Sequence, residues 1–128
     1  MTTDDELYRR AKERVSPREL SEDSSAGGVA SALVTEGGRI YTGVCIDTPC
    51  SMGFCAEHNA IGSMITDGES AIASIVAVRW DGSILPPCGR CREFIFQVNP
   101  LNLRTRVLLG DQRVSTIEAL LPARWSRS

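Results

Sequence analysis

The sequence predicts an α/β protein with helices on both faces of a mixed sheet. Apolar residues at helical spacing alternate with short β-branched runs. Gly-containing turns separate the runs. No repeat or linker divides the chain, and its 128 residues fit one domain, 1–128. Helices alternating with strands imply three layers.

The elements follow in order. Residues 4–15 place Leu7, Tyr8, Ala11 and Val15 on one helix face, with Asp4, Asp5 and Glu6 suited to the N-terminus. Residues 21–28 read as loop. Val29–Thr35 and Arg39–Ile46 read as strands joined by Glu36-Gly37-Gly38, and 47–54 as loop. From Cys55 the apolar positions 56, 60, 61, 64 and 65 form a helix face that Asp67-Gly68 ends. Ile72–Val78 is a buried strand by its continuous apolar character. Asp81-Gly82 turns the chain, and Pro86-Pro87 precedes a helix over Cys88–Val98. Thr105–Leu109 reads as a strand and Ser115–Leu121 as a short helix.

Charge and composition narrow the function. The net charge is −2, without a Lys/Arg cluster, which argues against a nucleic-acid partner. No apolar run is long enough to span a membrane, and the first fifteen residues lack the apolar core of a secretion signal. The expected location is the cytoplasm. In that reducing compartment five cysteines, an odd number, point to metal or catalysis rather than disulfides.

The chemistry concentrates in Cys55-Ala56-Glu57 and Pro87-Cys88-Gly89-Arg90-Cys91. Cys88 and Cys91, three positions apart at a helix start, put two sulfurs on one face, and Cys55 at another helix start offers a third. Three protein ligands leave one position for water, the pattern of catalytic Zn²⁺. Helix N-termini favour thiolates. Three thiolates leave net negative charge on the site, which Arg90 and Arg92 are positioned to offset, unless both are solvated surface residues. Glu57 suits a proton shuttle from water to a ring nitrogen and then to a leaving amine; alone, it would be an ordinary first-turn glutamate. His58 follows Cys55 by three positions. A closed Cys55/His58/Cys88/Cys91 site in a non-catalytic zinc module is therefore the rival reading. Cys45 reads as a small apolar strand residue, while Cys50 has no evident task. Phe94 and Phe96 suit the core or a subunit contact, and Trp125 suits a pocket lid or a subunit boundary equally.

These motifs resemble the cytidine deaminase superfamily, specifically its small branch with three zinc cysteines. VASALVTEGGRIYTGVCI is similar to the hairpin of small cytidine deaminases and blasticidin S deaminases, PCGRCREF to their second zinc helix, and LLPARW to their C-terminal end. The resemblance covers roughly residues 20–125. It implies an α/β/α sandwich around a mixed five-stranded sheet, a homotetramer, and hydrolytic release of ammonia from a pyrimidine nucleoside by water. It implies Zn²⁺ on Cys55, Cys88 and Cys91, proton transfer by Glu57, and the backbone at Ala56 on the ring oxygen. The family's ribose-binding Asn-x-Glu corresponds to Cys45-Ile46-Asp47, so Cys45 and Asp47 are the candidate sugar contacts. An aromatic residue entering the first strand is replaced at Gly27 or Gly28. The Arg that often follows the catalytic Glu is His58 here, a candidate donor to the zinc sulfurs. Cytidine, deoxycytidine and a modified cytosine nucleoside such as blasticidin S are the substrates these features admit.

Overall fold

The computed structural model describes residues 1–127. The elements are α1 (Asp4–Lys12), β1 (Arg18–Glu19), β2 (Ser25–Thr35), β3 (Ile40–Asp47), α2 (Ala56–Thr66), β4 (Ile72–Arg79), β5 (Ile84–Leu85), α3 (Gly89–Val98), a 3-10 turn (Pro100–Arg104), β6 (Arg106–Gly110), β7 (Arg113–Thr116) and α4 (Ile117–Leu120). Among them no helix is long and apolar enough to cross a membrane.

The sheet is mixed and has seven strands, not the expected five. Five of them run β3-β2-β4-β6-β7, with β4 and β6 parallel and the other neighbours antiparallel. The two additional strands, β1 and β5, have two residues each and pair only with one end of β2 and of β4. Runs this short show no alternation in the sequence. β7 was also missed: its pattern is exposed at Arg113 and Val114, so it lacks the apolar face that marks a strand. Further boundaries differ: the helix expected over Ser115–Leu121 begins only at Ile117, because Ser115 and Thr116 pair with Val107 and Arg106 on β6. α1 ends at Lys12 rather than residue 15, and β2 begins at Ser25 inside the expected loop, because β1 and β3 flank it there with backbone hydrogen bonds.

Alternation along β2 and β4 builds the three layers. Ala32, Val34, Val76 and Val78 face Leu7 and Ala11 of α1. Leu33 and Ile75 face the other way, onto Ala60, Ile61 and Met64 of α2, Ile95 of α3 and Ile117 of α4. The α/β/α expectation holds. Arg106 on β6 holds Asp4 on α1 through two hydrogen bonds, 2.7 and 2.9 Å, which lower the carboxyl's pKa.

Two features place the site. The β2–β3 register shifts between Ala26 and Ala30, where Gly27 takes φ +87°. A Cβ there would stand 2.0 Å from the Ser16 carbonyl oxygen, so only glycine passes. Second, α2 lies directly on β3 at Gly43. A Cβ on Gly43 would stand 2.5 Å from the Ala60 nitrogen and 2.7 Å from the Asn59 Cβ. Asn59 secures the approach by donating to the Val44 carbonyl at 3.1 Å. Gly43→Ala is expected to destabilise the protein by about 1–3 kcal/mol through overpacking, measured by urea unfolding. An unchanged midpoint would show that α2 does not need this close approach.

Candidate active site

The first sulfur is positioned by a closed loop. Ile46 and Phe54 exchange two backbone hydrogen bonds of 3.0 Å, so the intervening loop returns the chain to the end of β3 just before Cys55. Within it Cys50 and Ser51 adopt positive φ, 60° and 57°. Cys55 then caps α2, and Cys88 caps α3; neither side chain makes a capping hydrogen bond. The two helix starts meet. Cys55 and Cys88 sulfurs are 3.7 Å apart, and Cys88 and Cys91 sulfurs 3.5 Å apart.

His58 joins this group. Its Nδ1 lies 3.4 Å from the Cys91 sulfur, and the donor atoms of Cys55, His58 and Cys91 all fall within 4.8 Å of one another. Its ring stacks on Phe94, with centroids 4.3 Å apart. Burial, and then the charge of Arg90, lower its pKa and favour the neutral imidazole. Arg90 thus lies within electrostatic reach of the sulfur cluster. Arg92 does not serve there: its guanidinium donates to the Pro87 and Leu120 carbonyls at 2.8 and 3.1 Å, tying α3 to the end of α4. The sequence pattern puts Arg92 beside Cys91, but the helix carries its side chain to another side.

The electrostatics fit a cation. Burial raises the pKa of Cys55 and Cys91, and the Glu57 carboxylate raises both further. Cys88 is also penalised by burial, but backbone N–H groups of Cys91 and Arg90 and the adjoining sulfurs bring it below its ordinary value. Crowded thiols that resist ionisation together, beside a carboxylate, are what a divalent ion relieves. Soft sulfur donors with an imidazole in reach suit Zn²⁺.

A cavity of about 560 Å³ opens beside the sulfurs. Cys55, Ala56, Glu57 and Cys88 line it from the two helix starts, and Cys45, Asp47 and Gly28 line it from β2 and β3. Glu57 is only 6% exposed, and burial raises its pKa, opposed only by its own backbone N–H. Cys45 is engaged internally: its sulfur accepts from the Val29 N–H at 3.3 Å and lies 3.8 Å from an Asp47 oxygen. Thr48, Phe54, Arg79 and Trp80 also line the cavity and were not singled out from the sequence. Phe54 and Trp80 supply aromatic surface that Gly27 and Gly28 cannot. Phe54, directly before the zinc motif, was the one such residue that position alone could have suggested. Trp125 is not among the lining residues. Its backbone N–H donates to Glu93 at 2.8 Å, its carbonyl accepts from Gln97 at 2.8 Å, and its indole is exposed.

Comparison with known proteins agrees with this geometry. The model of the cytidine and deoxycytidylate deaminase zinc-binding region matches residues 1–104. A blasticidin-S deaminase from Bacillus cereus is 33% identical over 109 residues, covering 78% of each chain. A cytidine deaminase from Sporosarcina psychrophila is 32% identical over 102 residues, 77% of this chain and 75% of that one. Among solved structures, cytidine deaminase from Mycobacterium leprae superposes with TM-score 0.80 at 25% identity, covering 96% and 100% of the two chains. That from Mycobacterium tuberculosis gives 0.81 at 22% identity, covering 98% and 99%, a likeness of fold.

Removing one sulfur should be felt at the metal. Cys88→Ala is expected to lower bound zinc at least about tenfold, read by metal analysis after dialysis. His58→Ala should retain zinc if the histidine only donates to Cys91, and should lose it if the imidazole is a ligand. The thiolate count from Co²⁺-substituted absorption separates these cases.

Proposed function

From the premise that the chain belongs to the cytidine and deoxycytidylate deaminase family, and is a zinc-dependent deaminase, we propose that it hydrolyses the 4-amino group of a cytosine nucleoside. The observation that carries this reading is one cavity holding buried Glu57, the Ala56 backbone and the thiol cluster side by side. Cys55, Cys88 and Cys91 would hold the ion, with the His58 Nδ1 3.4 Å from the Cys91 sulfur, able to donate to it in the Nδ1–H tautomer. Bound there, Zn²⁺ supplies Lewis acidity that brings the pKa of water toward about 7.

Glu57 handles the protons. Its carboxylate takes one from water and delivers it to the ring nitrogen next to C4. The water oxygen bonds to C4, and its remaining proton passes by way of Glu57 to the amine as the C4–N bond breaks, so water and the cytosine ring become the 4-oxo ring and ammonia. A carboxyl whose pKa is raised by burial gives up and regains a proton nearer neutral pH than an exposed one. In this reading the Ala56 backbone serves the ring oxygen and Asp47 a sugar hydroxyl; that both line the cavity supports it.

Cytidine and deoxycytidine are the first substrates to try. A modified nucleoside of the blasticidin type is the second reading, favoured by the similarity to a blasticidin-S deaminase and by a Cys45 already engaged with Val29. We also propose that residues 1–128 are one deaminase domain that works in the cytoplasm, where its five cysteines stay reduced, and assembles as a homotetramer that covers exposed Ile65, Leu101 and Val114. Light scattering at micromolar concentration should read four chains; a monomer would remove the assembly.

Ammonia release from the zinc-loaded protein tests the reaction on cytidine, deoxycytidine, cytosine and blasticidin S. Glu57→Ala should keep the zinc and lose roughly 10²–10⁴-fold in turnover. Full activity in that variant would refute the proton-shuttle role.

A further inference from the structure

Beyond the sulfur cluster, the cavity carries a second cation without an assigned task. Arg79 closes β4 and lines the wall, half-buried. Its guanidinium forms no ion pair or hydrogen bond among the described residues. The one aromatic against it is Trp80, with the guanidinium carbon 5.8 Å from a ring centroid, close enough for a cation–π contact that limits its motion. Asp81, in the following turn, accepts from the Ser83 N–H and hydroxyl at 3.1 and 2.7 Å; these bonds and, more weakly, the charge of Arg79 hold its pKa down, but no ion pair forms between the two side chains.

Register fixes which end of the cavity Arg79 serves. Arg79 pairs with Val29 on β2, and the Val29 N–H is the group that donates to Cys45 on β3. Arg79 therefore lies at the part of the cavity that carries Cys45 and Asp47, two strand spacings or roughly 10 Å across the sheet from β3. The other lining arginine, Arg90, belongs to the α3 start beside the sulfurs. The wall near Val29 is recessed: no atom lies within 4 Å of where a Gly28 Cβ would stand. Thr48 Oγ1, on the same cavity, is buried without a hydrogen-bond partner.

We propose that Arg79 is a specificity-determining residue that binds an anionic group, carboxylate or phosphate, on the sugar of the cytosine nucleoside; this rests on the deaminase reading above. A planar guanidinium pairs with either group through two parallel hydrogen bonds. The recess at Gly28 leaves space for the substituent. Asp47 on the opposite side and the unpaired Thr48 hydroxyl serve the sugar's hydroxyls. A neutral nucleoside leaves the guanidinium to water, whereas an anionic one gains a charge-assisted contact made equally in ground and transition states, so the gain appears in KM more than in kcat.

The test compares kcat/KM for cytidine, its 5′-carboxylate analogue and cytidine 5′-monophosphate, in the zinc-loaded full chain. The wild type should favour at least one anionic substrate by about tenfold or more, chiefly through KM, with the preference shrinking as salt rises. Arg79→Ala should abolish the preference and Arg79→Glu should invert it, while Arg113→Ala, an equal loss of charge on the exposed β7, should keep it. Which of the two anions is favoured separates a carboxylate from a phosphate source. Equal kcat/KM on all three substrates in the wild type, or a preference surviving in Arg79→Ala, would overturn the assignment. Calorimetric binding of the same compounds reads the subsite without turnover. A protein that binds the anions more tightly through Arg79 yet deaminates none of them would keep the subsite and refute the proposed reaction. One that deaminates cytidine without any preference would do the reverse.

Discussion

The seating of α2 on β3 at Gly43 is the contact on which the site depends. It is a steric constraint before it is a chemical one: two backbones meet with no side chain between them. Because α2 cannot shift along β3, its first turn is fixed against the strand end, and Cys55, Ala56 and Glu57 enter the cavity at one place. The Ile46–Phe54 bridge closes the loop from the other side. α3 is held independently, by Ile95 in the core and by Arg92 reaching the Pro87 and Leu120 carbonyls. Two helices anchored separately thus bring three sulfurs within 3.5–3.7 Å steps of each other.

Such an arrangement is unfavourable on its own. Thiols at helix starts are aided by backbone N–H groups, yet Cys55 and Cys91 are pushed toward the neutral form by burial and by Glu57. The same burial raises the pKa of Glu57 above that of an exposed carboxylate. Packing and electrostatics here oppose each other until a divalent ion is supplied, which links metal affinity to the integrity of the core around Ala60 and Ile61. His58 sits at the junction, with its ring on Phe94 and its Nδ1 on the Cys91 sulfur.

Much of this was legible in the sequence because it is local. Helix faces on α2 and α3, the β2–β3 hairpin and the position of each cysteine at a helix start follow from spacing within a dozen residues. The three-layer order followed from alternation. What escaped depends on distant partners. β1 and β5 exist only through pairing to β2 and β4, and β7 has no apolar face to announce it. Arg92 was credited with the sulfurs from its neighbour in sequence, while in space it serves Leu120. Arg79 and Thr48 went unnoticed because an arginine ending a strand and a threonine in a loop are ordinary until a cavity is seen beside them.

The shifted register between Ala26 and Ala30 has a consequence for how this scaffold can diversify. On one side of the shift, β2 and β3 are locked through Leu33 and Val34 into the core; Gly28 and Cys45 lie within the shift, and Asp47 lies beyond it. The irregularity works as a mechanical break between a core-anchored frame and the cavity rim. Residues on the rim can be exchanged, and with them the shape and charge of the cavity mouth, while the hairpin that supports α2 keeps its alignment. The cavity mouth is thus mechanically uncoupled from the seat of the thiol cluster, so reshaping one need not move the other.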